Sequence, residues 1–222
     1  MKTKTIAISA TAFVFLGGVV GVQQYISSQI TSKVQREIPN ASGISASVPL
    51  ADVPSNLTSD SIKSAEINIK SFALKESGTK TSLAISASSI SKTKPTLIGS
   101  LEVTATIPAS TITKQSEFNN AQIVGNTLQV AAGAGGMGTA LLIPKYAHSQ
   151  LYFELQSVSI LGNQIPASSL PADLQNQIKS RSQRSLTPPK GLKVKSVSLG
   201  SKGLSVKMSG NNIQLGNLGS GL

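Results

Sequence analysis

Three regimes of hydrophobic patterning succeed one another along the chain. Lys2 and Lys4 precede a stretch from Thr5 to Val22 that carries no charge and is dense in Ile, Ala, Val, Phe and Leu. As a helix, eighteen residues rise about 27 Å, just short of the ~30 Å hydrocarbon layer of a bilayer. The stretch reads as the core of a signal peptide or as an uncleaved N-terminal anchor. The one A-x-A arrangement, Ala10-Thr11-Ala12, lies inside the apolar core rather than after it. The two lysines hold the N-terminus in the cytoplasm and send everything after Val22 to the far side.

From Gln23 to Ile38 the period is helical, with Ile26, Ile30, Val34 and Ile38 on one stripe, Lys33, Arg36 and Glu37 between them, and Pro39 as the stop. Ser42 to Thr58, with Gly43, Pro49 and Pro54, predicts short extended pieces and turns. From Ile62 the period becomes two. Ala65, Ile67 and Ile69 share a face, as do Leu83, Ile85 and Ala87, and Leu101, Val103, Ala105 and Ile107 alternate with Glu102, Thr104 and Thr106. This is the pattern of half-buried antiparallel strands. Ser110 to Phe118 predicts a short helix, and Gly125-Asn126 a tight turn ahead of Leu128 and Val130. Leu151, Phe153 and Leu155 alternate before the apolar set shifts to Val158 and Ile160, which predicts a bulge near Gln156. Leu170, Leu174 and Ile178 give a second amphipathic helix over 170–184. The last strands, around Val194, Val197, Val206 and Ile213, are separated by Gly200, Gly203 and Gly210.

These elements predict a β-rich α+β fold: an elongated, curved antiparallel sheet wrapped over one or two amphipathic helices, 23–38 and 170–184, preceded by the hydrophobic segment. The expected organisation is 1–22 as signal or anchor, 23–216 as a single extracytoplasmic domain and 217–222 as a flexible tail. Length agrees, since 222 residues less the segment suit one core.

Composition sharpens this picture. Charged residues are only 13% of the chain, while 35 Ser and 16 Thr build the polar surface from hydroxyls. With no Cys there is no disulfide framework, thiolate nucleophile or Cys-ligated zinc, so the fold depends on its core. Twenty basic residues against nine acidic give a formal net charge of +11, which points to an anionic partner. That charge has a location. No acidic residue follows Asp173, whereas Lys179, Arg181, Arg184, Lys190, Lys193, Lys195, Lys202 and Lys207 do. The region lacks the stacking aromatics of single-strand binders, and the compartment is the wrong one for nucleic acid. Beyond a membrane the abundant anions are lipid headgroups and acidic wall polymers. Arg181, Arg184, Lys190, Lys193 and Lys195 are the candidate headgroup contacts; a merely solvated basic face is the plain alternative.

The search for catalytic chemistry returns little. His148 is the single histidine, no G-x-S-x-G surrounds any serine, and Glu66, Glu102 and Glu154 fall on wet strand faces. No His/Asp cluster suggests a metal, so neither enzyme activity nor a cofactor is expected. Gly133-Ala134-Gly135-Gly136-Met137-Gly138 matches G-x-G-x-x-G, but Pro144 arrives six residues later, where a dinucleotide site needs a helix.

The run Leu186-Thr187-Pro188-Pro189-Lys190-Gly191-Leu192-Lys193-Val194-Lys195-Ser196-Val197, then Gly203-Leu204-Ser205-Val206 and Gly210-Asn211-Asn212-Ile213-Gln214-Leu215, resembles the closing signature of the LmeA-like phospholipid-binding family of bacterial cell envelopes. Gly162-Asn163-Gln164-Ile165-Pro166 with Leu170-Pro171 is similar to that family's central segment. The first third departs from it, with Pro49-Leu50 where family members often show an aromatic after a proline. The resemblance implies phospholipid binding outside the cytoplasmic membrane, linked to envelope lipoglycan maturation, and no catalytic residues. A different reading of the same chain is an anchored structural or assembly protein, of pilin-like or scaffold kind, that carries no lipid.

Overall fold

A computed structural model of the chain describes residues 5–7, 31–32, 35, 41–49, 52, 59–73, 79–93, 95–115, 120–132 and 138–214. In chain order the elements are β1 (Thr5–Ala7), β2 (Ser42–Ser47), β3 (Ser61–Ala73), β4 (Lys80–Ser91), β5 (Leu97–Pro108), helix α1 (Ala109–Gln115), β6 (Gln122–Val124), β7 (Thr127–Ala132), β8 (Gly138–Ala147), β9 (Gln150–Ile160), β10 (Asn163–Pro166), helix α2 (Ala172–Ser182), β11 (Arg184–Thr187), β12 (Lys193–Gly200) and β13 (Gly203–Gln214). Among the described residues the strands form two antiparallel sheets. One has seven strands in the order β1-β11-β9-β8-β7-β6, with β10 also on β9; the other has six, β12-β13-β5-β4-β3-β2. The β-rich α+β class is as the patterning predicts, but two sheets stand where a single one was expected. The reason is pairing: β6 to β11 pair among themselves, and the period-two strands of the first half form a separate sheet that β12 and β13 complete.

The chain divides into two compact units, the first of Met1–Ile6, Thr106–Thr187 and Ser196–Val206, the second of Ala7–Ala105, Pro188–Lys195 and Lys207–Leu222. Residues 23–216, read above as one domain, fall in both. Of the segment 1–22, Thr5–Ala7 form an edge strand and the remainder lies outside the described residues, as does most of the helix expected over 23–38, of which Thr31, Ser32 and Gln35 are helical. The tail 217–222 lies outside them too.

In the second unit the alternation places Ala65, Ile67, Ile69, Leu83, Ile85, Ala87, Leu101, Val103 and Ala105 in the core, with Glu66, Asn68 and Lys70 on the wet face of β3. Each Ile, Leu or Val among them contributes about 1.5–3 kcal/mol by leaving water. Ile62, Ile90 and Ile98 are buried as well, each three residues from the neighbouring buried position instead of two. The shift is shared: Ile62 pairs with Ile90 and Ala65 with Ala87, Ser89 sits at φ +53°, and a Cβ on Gly99 would lie 2.8 Å from the Ser89 Cβ. Three adjacent strands thus change phase together, and a line of such kinks bends a sheet. A further residue is inserted on β3 between Ile69 and Phe72, opposite Leu83 and Thr81, and keeps Phe72 buried.

The first unit is organised by β9. Its register against β8 runs Leu141 to Ser157 and then Leu142 to Leu155, so Gln156 is the inserted residue, the bulge that the apolar shift predicts. Gly125-Asn126 closes the β6–β7 hairpin with Gly125 at φ +60°, the pattern of a type II′ turn. The helix expected over 170–184 is shorter. Within α2 only Leu174 and Ile178 are large and apolar, none of its residues is buried, and Leu174 is 39% exposed. It is held instead by hydrogen bonds: the Phe153 N–H donates to Ser182 Oγ at 2.9 Å, and Ser182 Oγ donates to the Ile178 carbonyl at 2.9 Å. Arg184, expected at the helix end, belongs to β11.

One glycine is fixed by geometry. Gly203 opens β13 at φ +125°, and a Cβ there would lie 1.9 Å from the Ile107 carbonyl oxygen and 2.7 Å from the Ala109 nitrogen. Gly203→Ala is expected to lower unfolding stability by about 3 kcal/mol or more, whereas Gly200→Ala, whose Cβ meets nothing within 4 Å, stays within about 1 kcal/mol of wild type. Urea denaturation of the two variants checks this, and equal stabilities would refute it.

Candidate functional site

The five candidate cations fall into two groups. Arg181 and Arg184 belong to the first unit, Lys190, Lys193 and Lys195 to the second. Arg181 is exposed in the last turn of α2, where cations suit the free carbonyls. Arg184 is half-buried on β11 opposite Leu151, and its Nη1 donates to the Arg181 carbonyl at 3.0 Å and the Gln183 carbonyl at 2.8 Å. Its guanidinium therefore closes the C-terminal end of α2. That structural duty leaves less of it for a ligand.

The three lysines are presented differently. Pro189, Lys190, Gly191 and Leu192 form a turn closed by the Leu192 N–H donating to the Pro189 carbonyl at 3.0 Å, with Gly191 at φ +88° in the position where a type II turn needs a positive φ. Leu192 is buried and anchors the turn, while Lys190 is exposed at its corner. Lys193 and Lys195 follow on β12, both exposed, with half-buried Val194 between them. Strand geometry sets their Cα atoms about 7 Å apart on one face. Among the described residues their three ammonium groups have no hydrogen-bond or ion-pair partner. β12 ends the order of its sheet, and lysines on such an edge also discourage pairing with another chain.

The remaining late cations are partly engaged. Lys179 Nζ lies 4.6 Å from the ring centroid of Tyr152, and Lys207 Nζ lies 3.0 Å from Glu102 Oε2 across β13 and β5. The stretch after Asp173 is thus not wholly unopposed: a carboxylate 105 positions earlier faces Lys207, a pairing made by the sheet and invisible to a scan along the chain. Both members are about half exposed, so the pair adds at most about 1 kcal/mol.

His148 is exposed at φ +51° in the β8–β9 turn, and Glu154 pairs with Lys145 at 3.6 Å. Among the described residues no group of three or more His, Asp or Glu could hold a metal. In the glycine-rich motif, 133–137 lie outside the described residues; Gly138 begins a strand antiparallel to β7, not the helix a dinucleotide site requires. A feature unmarked by the sequence reading is the β9–β10 turn, where Leu161 is 80% exposed. Its signal is Leu-Gly at a place where turns of this kind favour Asn-Gly.

No family model matches the chain, and no curated protein or solved structure matches it.

The contrast between the two groups is measurable. Replacing Lys190, Lys193 and Lys195 together by Gln is expected to change unfolding stability by no more than about 0.5 kcal/mol. Arg184→Gln is expected to lower it by about 1 kcal/mol, because two carbonyls lose a charged donor. Chemical denaturation reads both, and a destabilised lysine triple variant would show these side chains to be structural.

Proposed function

We propose that the chain is an extracytoplasmic protein that binds or shuttles anionic phospholipids at the outer face of a bacterial cytoplasmic membrane, in support of envelope lipoglycan maturation. The observation that carries this reading is the trio Lys190, Lys193 and Lys195: three exposed cations within six residues, in a stretch of 49 residues free of acidic side chains. Two ammonium groups at β-strand spacing can reach one phosphodiester or two adjacent headgroups, and each lysine near an anionic lipid surface contributes about 1 kcal/mol. Further support comes from the basic leader and uncharged Thr5–Val22 segment, and from the likeness of 186–215 to LmeA-like proteins.

Affinity for a whole lipid has a particular balance. A buried methylene gains about 0.8 kcal/mol, but the bilayer it leaves supplied the same gain. A carrier therefore needs an apolar surface that keeps extraction level and cations that choose the headgroup. In this reading the acyl chains lie along an aliphatic sheet face, curved by its line of kinks. The reading assigns no catalytic residue and needs no metal or cofactor.

Transfer of a fluorescent phosphatidylglycerol from donor to acceptor phosphatidylcholine vesicles by the full chain tests it. Wild type is expected to speed transfer well above the protein-free rate, and the Lys190/Lys193/Lys195→Gln variant to slow it by about tenfold or more at low salt, a gap that closes as salt rises. Transfer at the protein-free rate would contradict the reading. Salt-independent transfer that ignores the triple substitution would remove the lysines from it.

A further inference from the structure

We propose that the β9–β10 turn is a bilayer-insertion finger, with Leu161 and Ile160 as its apolar tip. Ile160 pairs with Asn163, leaving Leu161-Gly162 as a two-residue loop with φ +49° and +83°, the pattern of a type I′ turn. The first position of such a turn favours Asn, Asp or Gly, because an L side chain with a larger Cβ substituent is strained at positive φ. Here it is Leu, and its side chain is 80% exposed, beside an Ile160 that is 43% exposed. The residue thus does nothing for the core and works against its own backbone. Such a local misfit marks a position held for something other than folding.

The surroundings identify the occupant. No charged side chain occurs between Glu117 and Lys145 or between Glu154 and Asp173. Because Gly138 pairs with Ile160 and Lys145 with Tyr152, the β8–β9 ribbon is uncharged at the Leu161 end and charged at the other, where Lys145, Glu154, Lys179 and Arg181 lie along or after it. Two side chains on a narrow turn expose far less than the roughly 800 Å² per partner that a specific protein interface buries. A bilayer takes in an isolated apolar finger readily, seating it at the boundary of headgroups and acyl chains while the polar end stays in water. The contact is apolar, so it differs from the lysine contact in being indifferent to salt. The proposal rests on the reading of the chain as a membrane-surface protein, but on none of the residues assigned to the headgroup.

The chain has no Trp, so a single introduced Trp reports one site. The full chain carrying Leu161→Trp is mixed with vesicles of phosphatidylcholine whose acyl chains are brominated, and compared with His148→Trp at the opposite end of the ribbon. Trp at 161 is expected to shift to the blue and be quenched, equally at low and high salt, and Trp at 148 to do neither. Equal behaviour of the two, or a blue shift at 161 without vesicles, which marks self-association, would overturn the proposal. Leu161→Asn supplies the second arm. It is expected to raise the thermal midpoint by relieving the turn, while weakening bilayer association of an Ile160→Trp reporter roughly tenfold. A lowered midpoint would make Leu161 structural and overturn the proposal. Loss of phosphatidylglycerol transfer by the lysine variant with quenching at 161 intact separates the two sites; transfer without quenching at 161 defeats the finger alone.

Discussion

The outer edge of β9 presents backbone hydrogen-bonding groups that call for partners, and their pairing organises the first unit. One edge of β9 is taken by β8 along its whole length. The other is completed in sections: β11 pairs at Gln150 and Leu151, the Ser182 hydroxyl takes the Phe153 N–H, and β10 pairs from Ser157 to Ile160. In the break between β10 and β11 the end of α2 delivers a hydroxyl to the half-buried Phe153 amide, which spares that amide part of the roughly 1–3 kcal/mol that a fully buried unpaired donor costs. This explains how α2 stays in place with no buried side chain. It also sets where the cations go, since α2 and β11 carry Lys179, Arg181 and Arg184 to the Leu151 end of β9.

The second unit meets a different constraint, the burial of one face of a long sheet without disulfides. Its aliphatic residues are small and branched, and the common phase change at Ile62, Ile90 and Ile98 lets three strands bend while keeping that face dry. The order of the sheet ends in β12, where Lys193 and Lys195 discourage pairing with another chain and, in the proposed reading, also meet headgroups. One set of side chains can meet both demands because each needs only exposed, unpaired positive charge.

Much of the local structure was legible in the sequence because it is encoded locally. Period-two runs marked the strands, the shift from Leu155 to Val158 marked the Gln156 bulge, and Gly125-Asn126 marked its hairpin. What escaped depends on residues far apart in the chain. The division into two sheets follows from which strands pair, and the Lys207–Glu102 pair and the clash that reserves Gly203 for glycine arise only once β5 and β13 are neighbours. The helix over 170–184 was overextended because Leu170 and Arg184 continue the helical spacing, although Pro171 and the strand geometry at Arg184 end it on either side. For the candidate site, the sequence named five cations without distinguishing Arg184, which donates to backbone carbonyls, from the three lysines that do not.

The central claim is that this chain holds an anionic phospholipid. Native mass spectrometry of the full chain, purified from a bacterial membrane and released gently from detergent, tests it most directly. The account predicts a population carrying phospholipid adducts, enriched in anionic headgroups over their share of that membrane. A chain free of lipid, or one whose adducts merely mirror the membrane composition, would contradict it.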